Sequence, residues 1–121
     1  MNSPNQVYIS FSHPIDDEKT IRLLSLMEGF EQNNMLVSTI NDDCINILLI
    51  CLTSSGKDSS QRFEIAKCIE QKRKNEKREL LFLLMDDNLE HQFDEYLKPY
   101  DYIYFTEVRH IFTVINYINY K

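Results

Sequence analysis

Long hydrophobic runs are missing from this 121-residue sequence. The longest, residues 45–52, is broken by Asn46 and falls far short of the roughly 20 apolar residues that cross a bilayer. Membrane insertion is therefore not expected. A basic excess is missing too: the formal net charge is −6, which argues against nucleic acid as a partner, because displacing counterions from phosphates needs a basic face. Cysteine is scarce. Cys44, Cys51 and Cys68 are odd in number, widely spaced and without a C-x-x-C pair, which disfavours both a disulfide framework and a zinc site and leaves reduced, buried thiols as the expectation. Residues 1–6 carry neither a basic start nor an apolar block, so nothing in them directs secretion and a cytoplasmic setting is expected.

What is present suffices for one core. At 43% hydrophobic, the chain has apolar surface for a single domain, residues 1–121, and too little length for two. Six of its thirteen Lys and Arg residues fall between Lys67 and Arg78. A solvated helix end, where cations suit the helix dipole, is one account; a partner-binding patch is the other.

Residues 7–12 are rich in β-formers and stop before Pro14, which predicts a first strand. Residues 16–31 put Ile21, Leu23, Leu24, Leu26, Met27 and Phe30 on a helical stripe behind the acidic opening Asp16-Asp17-Glu18. A short strand over 35–39 follows. Residues 45–53 and 79–85 are nearly continuous apolar runs, the pattern of strands buried on both faces. Between them, turn chemistry at residues 54–59 leads into a helix over 60–74. Leu89, Phe93, Tyr96 and Leu97 have the spacing of a short amphipathic helix ending before Pro99. Residues 100–105 alternate like a strand nearer an edge, and Val108, Ile111, Phe112, Ile115 and Ile118 form a last helical stripe. Such alternation predicts a mostly parallel sheet with helices on both faces.

Two segments of this layout together resemble the Toll/interleukin-1 receptor (TIR) domain family. One is Val7-Tyr8-Ile9-Ser10-Phe11-Ser12-His13, similar to that family's opening strand with its aromatic-serine pair ahead of acidic residues. The other is Asn46-Ile47-Leu48-Leu49-Ile50-Cys51-Leu52-Thr53-Ser54-Ser55 followed by Asp58-Ser59-Ser60-Gln61-Arg62-Phe63-Glu64, similar to its central strand, serine-bearing loop and helix-opening glutamate. The similarity covers residues 6–121, more weakly toward the end. Two features depart from the family pattern. Ser60 stands where many TIR domains have tryptophan, and only residues 40–46 are available where the family places a long loop and a helix. Seven residues reach at most about 24 Å, so this link must run nearly extended and hold no helix.

The resemblance implies a flavodoxin-like α/β fold: a five-stranded sheet of order 2-1-3-4-5 flanked by helices. In such sheets ligands bind beyond the carboxyl ends of the strands, where the order reverses. Ser12 and His13 would leave strand 1 there, Ser54 and Ser55 would leave strand 3, and Glu64 would face the same crevice from the first turns of the next helix. In active family members the glutamate attends cleavage of the bond between nicotinamide and ribose in NAD+. That chemistry needs no proton donor, since the leaving group departs as a neutral base; a carboxylate stabilises the positive charge developing on the sugar. Glu64 alone matches that role, and Ser12, His13, Ser54 and Ser55 are the candidate NAD+ contacts. The plainer account makes Glu64 a first-turn acid at a helix N-terminus and the serines loop-satisfying groups.

Other groups carry weaker signals. His13, His91 and His110 lack metal-ligand spacing and read as surface or helix-end residues. Cys51 lies inside a strand, which disfavours a catalytic thiol. Asp86-Asp87 ends a strand as in phospho-receiver domains, but Ser12-His13 and Thr53-Ser54 stand where receivers need acids; turn and helix-capping duty is expected. Three functions follow in order: a signalling module acting through association with other TIR domains or itself, an NAD+ glycohydrolase centred on Glu64, and a nucleoside deoxyribosyltransferase-like enzyme. For association, the basic segment 72–78 and the acidic segment 16–18 are complementary.

Overall fold

The two continuous apolar runs demand cover on both sides, and the chain supplies it. The computed structural model describes residues 5–11, 16–38, 43–54 and 59–120. Among these, β1 (Gln6–Ser10), β2 (Leu36–Val37), β3 (Ile47–Leu52), β4 (Glu79–Leu84) and β5 (Asp101–Tyr104) form one sheet in the order β2-β1-β3-β4-β5. All four pairings are parallel. Parallel neighbours need crossovers long enough for a helix, and α1 (Asp17–Gln32), α2 (Ser59–Lys74), α3 (Asp94–Leu97) and α4 (Ile111–Asn119) lie on the two faces. The fold is the α/β, flavodoxin-like arrangement expected from the sequence.

Period-two alternation divides the core into two layers. Val7, Ile9, Leu49, Cys51, Leu81 and Leu83 pack toward α1 and α4, meeting Leu26, Phe30, Val114 and Ile118. Leu48, Ile50, Leu52, Phe82 and Leu84 face the other way, against Ile65 and Cys68 of α2 and Leu89, Phe93 and Leu97 beyond β4. Every residue of β3 is buried, as its unbroken apolar run requires. α1 and α4 approach closely at Gly29, where a Cβ would stand 3.0 Å from Ile111 Cγ2.

The weakest strand is the short one expected over residues 35–39. β2 has two residues, both exposed, at the sheet edge. After it, residues 43–46 run into β3 without a helix, while residues 39–42 lie outside the described ones. Asn46 fastens that entry: its Nδ2 donates to Asn5 Oδ1 at 2.7 Å, and its Oδ1 accepts from the Gln6 backbone N–H at 2.7 Å.

Several local expectations need correction. The helix anticipated from Leu89 onward is confined to Asp94–Leu97; before it, turns and bends run over residues 86–93, with Asn88 at φ 63°. Leu89 and Phe93 are buried all the same, in a turn closed by the Phe93 N–H on the Leu89 carbonyl. Val108–His110 forms a 3₁₀ turn before α4. Cys44 is exposed, unlike Cys51 and Cys68, whose thiols burial pushes up to about 12. Arg78 does not belong to a solvated cationic end: it is buried, its Nε donating to the Ile45 carbonyl at 2.9 Å and its Nη1 to Gln71 Oε1 at 2.9 Å. Lys72, Arg73 and Lys74 remain in the last turn of α2, where they suit its dipole.

Candidate functional site

β1 ends beside α2 and presents Tyr8 and Ser10 to it, because those positions share the face opposite Val7 and Ile9. Glu64 meets them from α2. Its Oε2 accepts from the Ser10 hydroxyl at 3.1 Å and the Tyr8 hydroxyl at 3.4 Å, and its Oε1 lies 3.9 Å from Lys67 Nζ. The Ser10 bond is the better one, since O–H···O bonds weaken well beyond about 2.8 Å. The Glu64 side chain keeps a quarter of its surface in solvent. Burial first, and then the negative charge of Glu64, pushes the Tyr8 hydroxyl up to about 12, so Tyr8 stays a donor at neutral pH.

Glu64 is the sixth residue of α2, which has no acid in its first turn. The helix N-terminus therefore does not account for it, as the dipole's influence fades within one turn. The two hydroxyls on β1 and the neighbouring lysine hold the carboxylate instead. Neither Tyr8 nor Ser10 was among the site residues read from the sequence. Their only sequence signal is parity: both lie on the strand face opposite the apolar positions 7 and 9.

Ser54 serves a different contact. Its backbone N–H and its hydroxyl both donate to Asp86 Oδ2, at 2.8 and 3.1 Å. The other oxygen of Asp86 lies 3.0 Å from Lys19 Nζ, and that ammonium is 2.7 Å from Asp16 Oδ2. Among the described residues Asp86 caps no helix, unlike the helix-capping half of its sequence reading; standing in the bend after β4, it ties the exits of β3 and β4 to the start of α1. Asp16 does cap, accepting from the Lys19 N–H at 2.8 Å as the N-cap of α1. Ser54 and Glu64 share no partner among the described residues. Ser12, His13 and Ser55 lie outside those residues, so of the expected constellation only Ser54 and Glu64 are placed.

The Asp86 tie has an acid signature. Burial alone would raise its carboxyl, but the Ser54 N–H and hydroxyl and the Lys19 ammonium outweigh that and hold it below its ordinary 3.8. A folded value below the unfolded one gives stability that is present above the unfolded value and is lost as pH falls through the folded one. Asp86→Asn will therefore narrow the difference in melting temperature between about pH 5 and about pH 2.5 relative to the unaltered chain. At neutral pH, Asp86→Ala will cost about 1–2 kcal/mol for the loss of two hydrogen bonds and one partly buried ion pair. Thermal melts across that range check both.

At the opposite side of the sheet, α1 borders two surface grooves. One, of about 430 Å³, is lined by Leu24, Met27, Glu28, Glu31, Met35, Leu36 and Val37. The other, of about 320 Å³, runs between α1 and α4 past Gly29, Val108 and Phe112. Leu24, Leu36, Val37, Val108 and Phe112 are large apolar residues exposed by 46 to 72%. Among the described residues, no helix is long and apolar enough to cross a membrane, and no three His, Cys, Asp or Glu side chains gather as a metal site. Compared with models of known protein families and with curated proteins, the sequence matches none.

Proposed function

We propose that this chain is a cytoplasmic signalling module of the TIR type that acts by associating with other TIR domains or with copies of itself. The observation that carries this reading is the set of large apolar side chains left in solvent along the two grooves beside α1, with Leu24, Leu36 and Val37 in one and Val108 and Phe112 in the other. Clusters of this kind mark protein contact surfaces, whereas single exposed apolar residues do not. The state of Glu64 supports the same reading. Its carboxylate already has two hydroxyl donors and a lysine beside it, and a charge matched in this way stabilises a cation developing on a sugar less than an unmatched one in a dry pocket.

The second reading is cleavage of NAD+ by Glu64, favoured by the place of that carboxylate beside the last residue of β1, near the carboxyl end of the strand. Release of free nicotinamide from NAD+ separates the two. The association reading predicts no release above buffer at low or high protein concentration. Release that disappears in Glu64→Gln, with the fold intact by circular dichroism, would establish the second reading in its place. Release of free base from a deoxynucleoside would point to a deoxyribosyltransferase-like enzyme.

A further inference from the structure

Asp16 and Glu18 already have cationic partners on α1. Asp16 is held by Lys19 and Glu18 by Arg22. The acids of α1 without an ion pair to any described residue are Asp17, in its first turn, and Glu28 and Glu31, all exposed; the last two lie together at one groove. They rim the groove whose apolar lining is Leu24, Met27, Met35, Leu36 and Val37. An apolar floor with an acidic edge takes an apolar ridge flanked by cations.

The chain carries a ridge of cations with one exposed phenyl ring, on α2. Positions 62, 63, 66, 67, 70, 73 and 74 recur at helical spacing on the outer face of α2. Phe63 is 67% exposed toward the N-terminal end of that face. Arg62 and Lys67 flank it, and Arg73 and Lys74 lie about 15 Å further along the same face, against one acid, Glu70. Arg62, Arg73 and Lys74 make no ion pair with a described residue, and only Lys67 has a partner, Glu64 at 3.9 Å. α1 packs on one face of the sheet and α2 on the other, so the ridge and the groove of one molecule point away from each other. Neither can satisfy the other within one chain.

We infer that the groove between α1 and β2 of one copy receives the outer face of α2, which carries Phe63, from a second copy. The inference rests on the association reading and names its partner and geometry. The contact is heterologous, since different surfaces meet, and it leaves one groove and one ridge open at the two ends. Such contacts propagate head to tail unless the rotation closes a ring. The cations and acids are exposed, so salt weakens the contact over a Debye length of about 8 Å at physiological ionic strength.

Two variants test it, each altering exposed positions that leave the core intact. Leu24→Gln with Glu28→Gln spoils the groove and keeps the ridge; Phe63→Gln with Arg73→Gln spoils the ridge and keeps the groove. In sedimentation velocity at low salt, the unaltered chain will form species larger than a dimer as concentration rises. Each variant alone will associate more weakly by roughly tenfold or more. Mixed in equal amounts, the two will form a dimer and stop there, because the intact ridge of the first fits the intact groove of the second. Assembly of the unaltered chain with either variant undiminished would overturn this contact and leave the association reading standing. An unaltered chain that stays monomeric at every concentration would overturn self-association and this contact together.

Discussion

Arg22→Ala will destabilise the fold by about 3 kcal/mol, lowering the melting temperature by roughly 10 °C in a chain of this size. Arg22 is 5% exposed. Its Nη1 donates to the carbonyls of Met85 at 3.0 Å and Phe105 at 2.9 Å, just past the ends of β4 and β5, and it lies over the Phe105 ring. Removing it leaves two buried acceptors without donors, at about 1–3 kcal/mol each, and opens a cavity. Breaking a buried ion pair ordinarily costs about 3–5 kcal/mol, but the Glu18 side chain is 83% exposed and regains water, which holds the loss to the lower end. Glu18→Gln will therefore cost less than about 0.5 kcal/mol. Arg22→Lys will recover only part of the loss, because an ammonium lacks the planar fork. Denaturant unfolding measures all three; an Arg22→Ala chain within 1 kcal/mol of the unaltered one would show that the arginine does not hold the strand ends.

Phe82→Ala will cost about 3–5 kcal/mol. Phe82 has no solvent exposure, sits in the middle of β4 and meets the Tyr100 ring at 6.0 Å between centroids. Close packing gives the layer little room to collapse into the space vacated. Phe112→Ala provides the contrast, since that ring is 72% exposed and its removal will change stability by no more than about 0.5 kcal/mol. Equal losses at the two positions would contradict the division between core and exposed surface on which the association reading depends. Urea unfolding with an unchanged m-value is the appropriate measurement.

The sheet was legible because its determinants are local. Unbroken apolar runs at 47–52 and 80–84 require cover on both faces, and the stripes in α1 and α4 supply one of those covers. The polar ties were not legible, since they join distant residues. Arg22 reaches partners 63 and 83 positions away, and Ser54 meets Asp86 across 32. A helical stripe says that position 22 faces inward; it cannot say which carbonyls wait there. Arg78 was misread for a similar reason, because a run of cations looks solvated until one member turns inward to Ile45 and Gln71. Glu64 was located on the right helix, but its partners Tyr8 and Ser10 come from the first strand, 56 and 54 residues away. Over residues 89–93 the apolar spacing pointed to a helix, and the chain turns there before the short helix Asp94–Leu97.

The central claim, that this domain acts by association, is tested most directly by sedimentation equilibrium of the unaltered chain at low and high salt. The account predicts an average mass that rises above that of one chain as concentration increases and falls back toward it when salt is added, because exposed charges guide the contact. A mass equal to one chain at every concentration and salt, joined by nicotinamide release that requires Glu64, would contradict it.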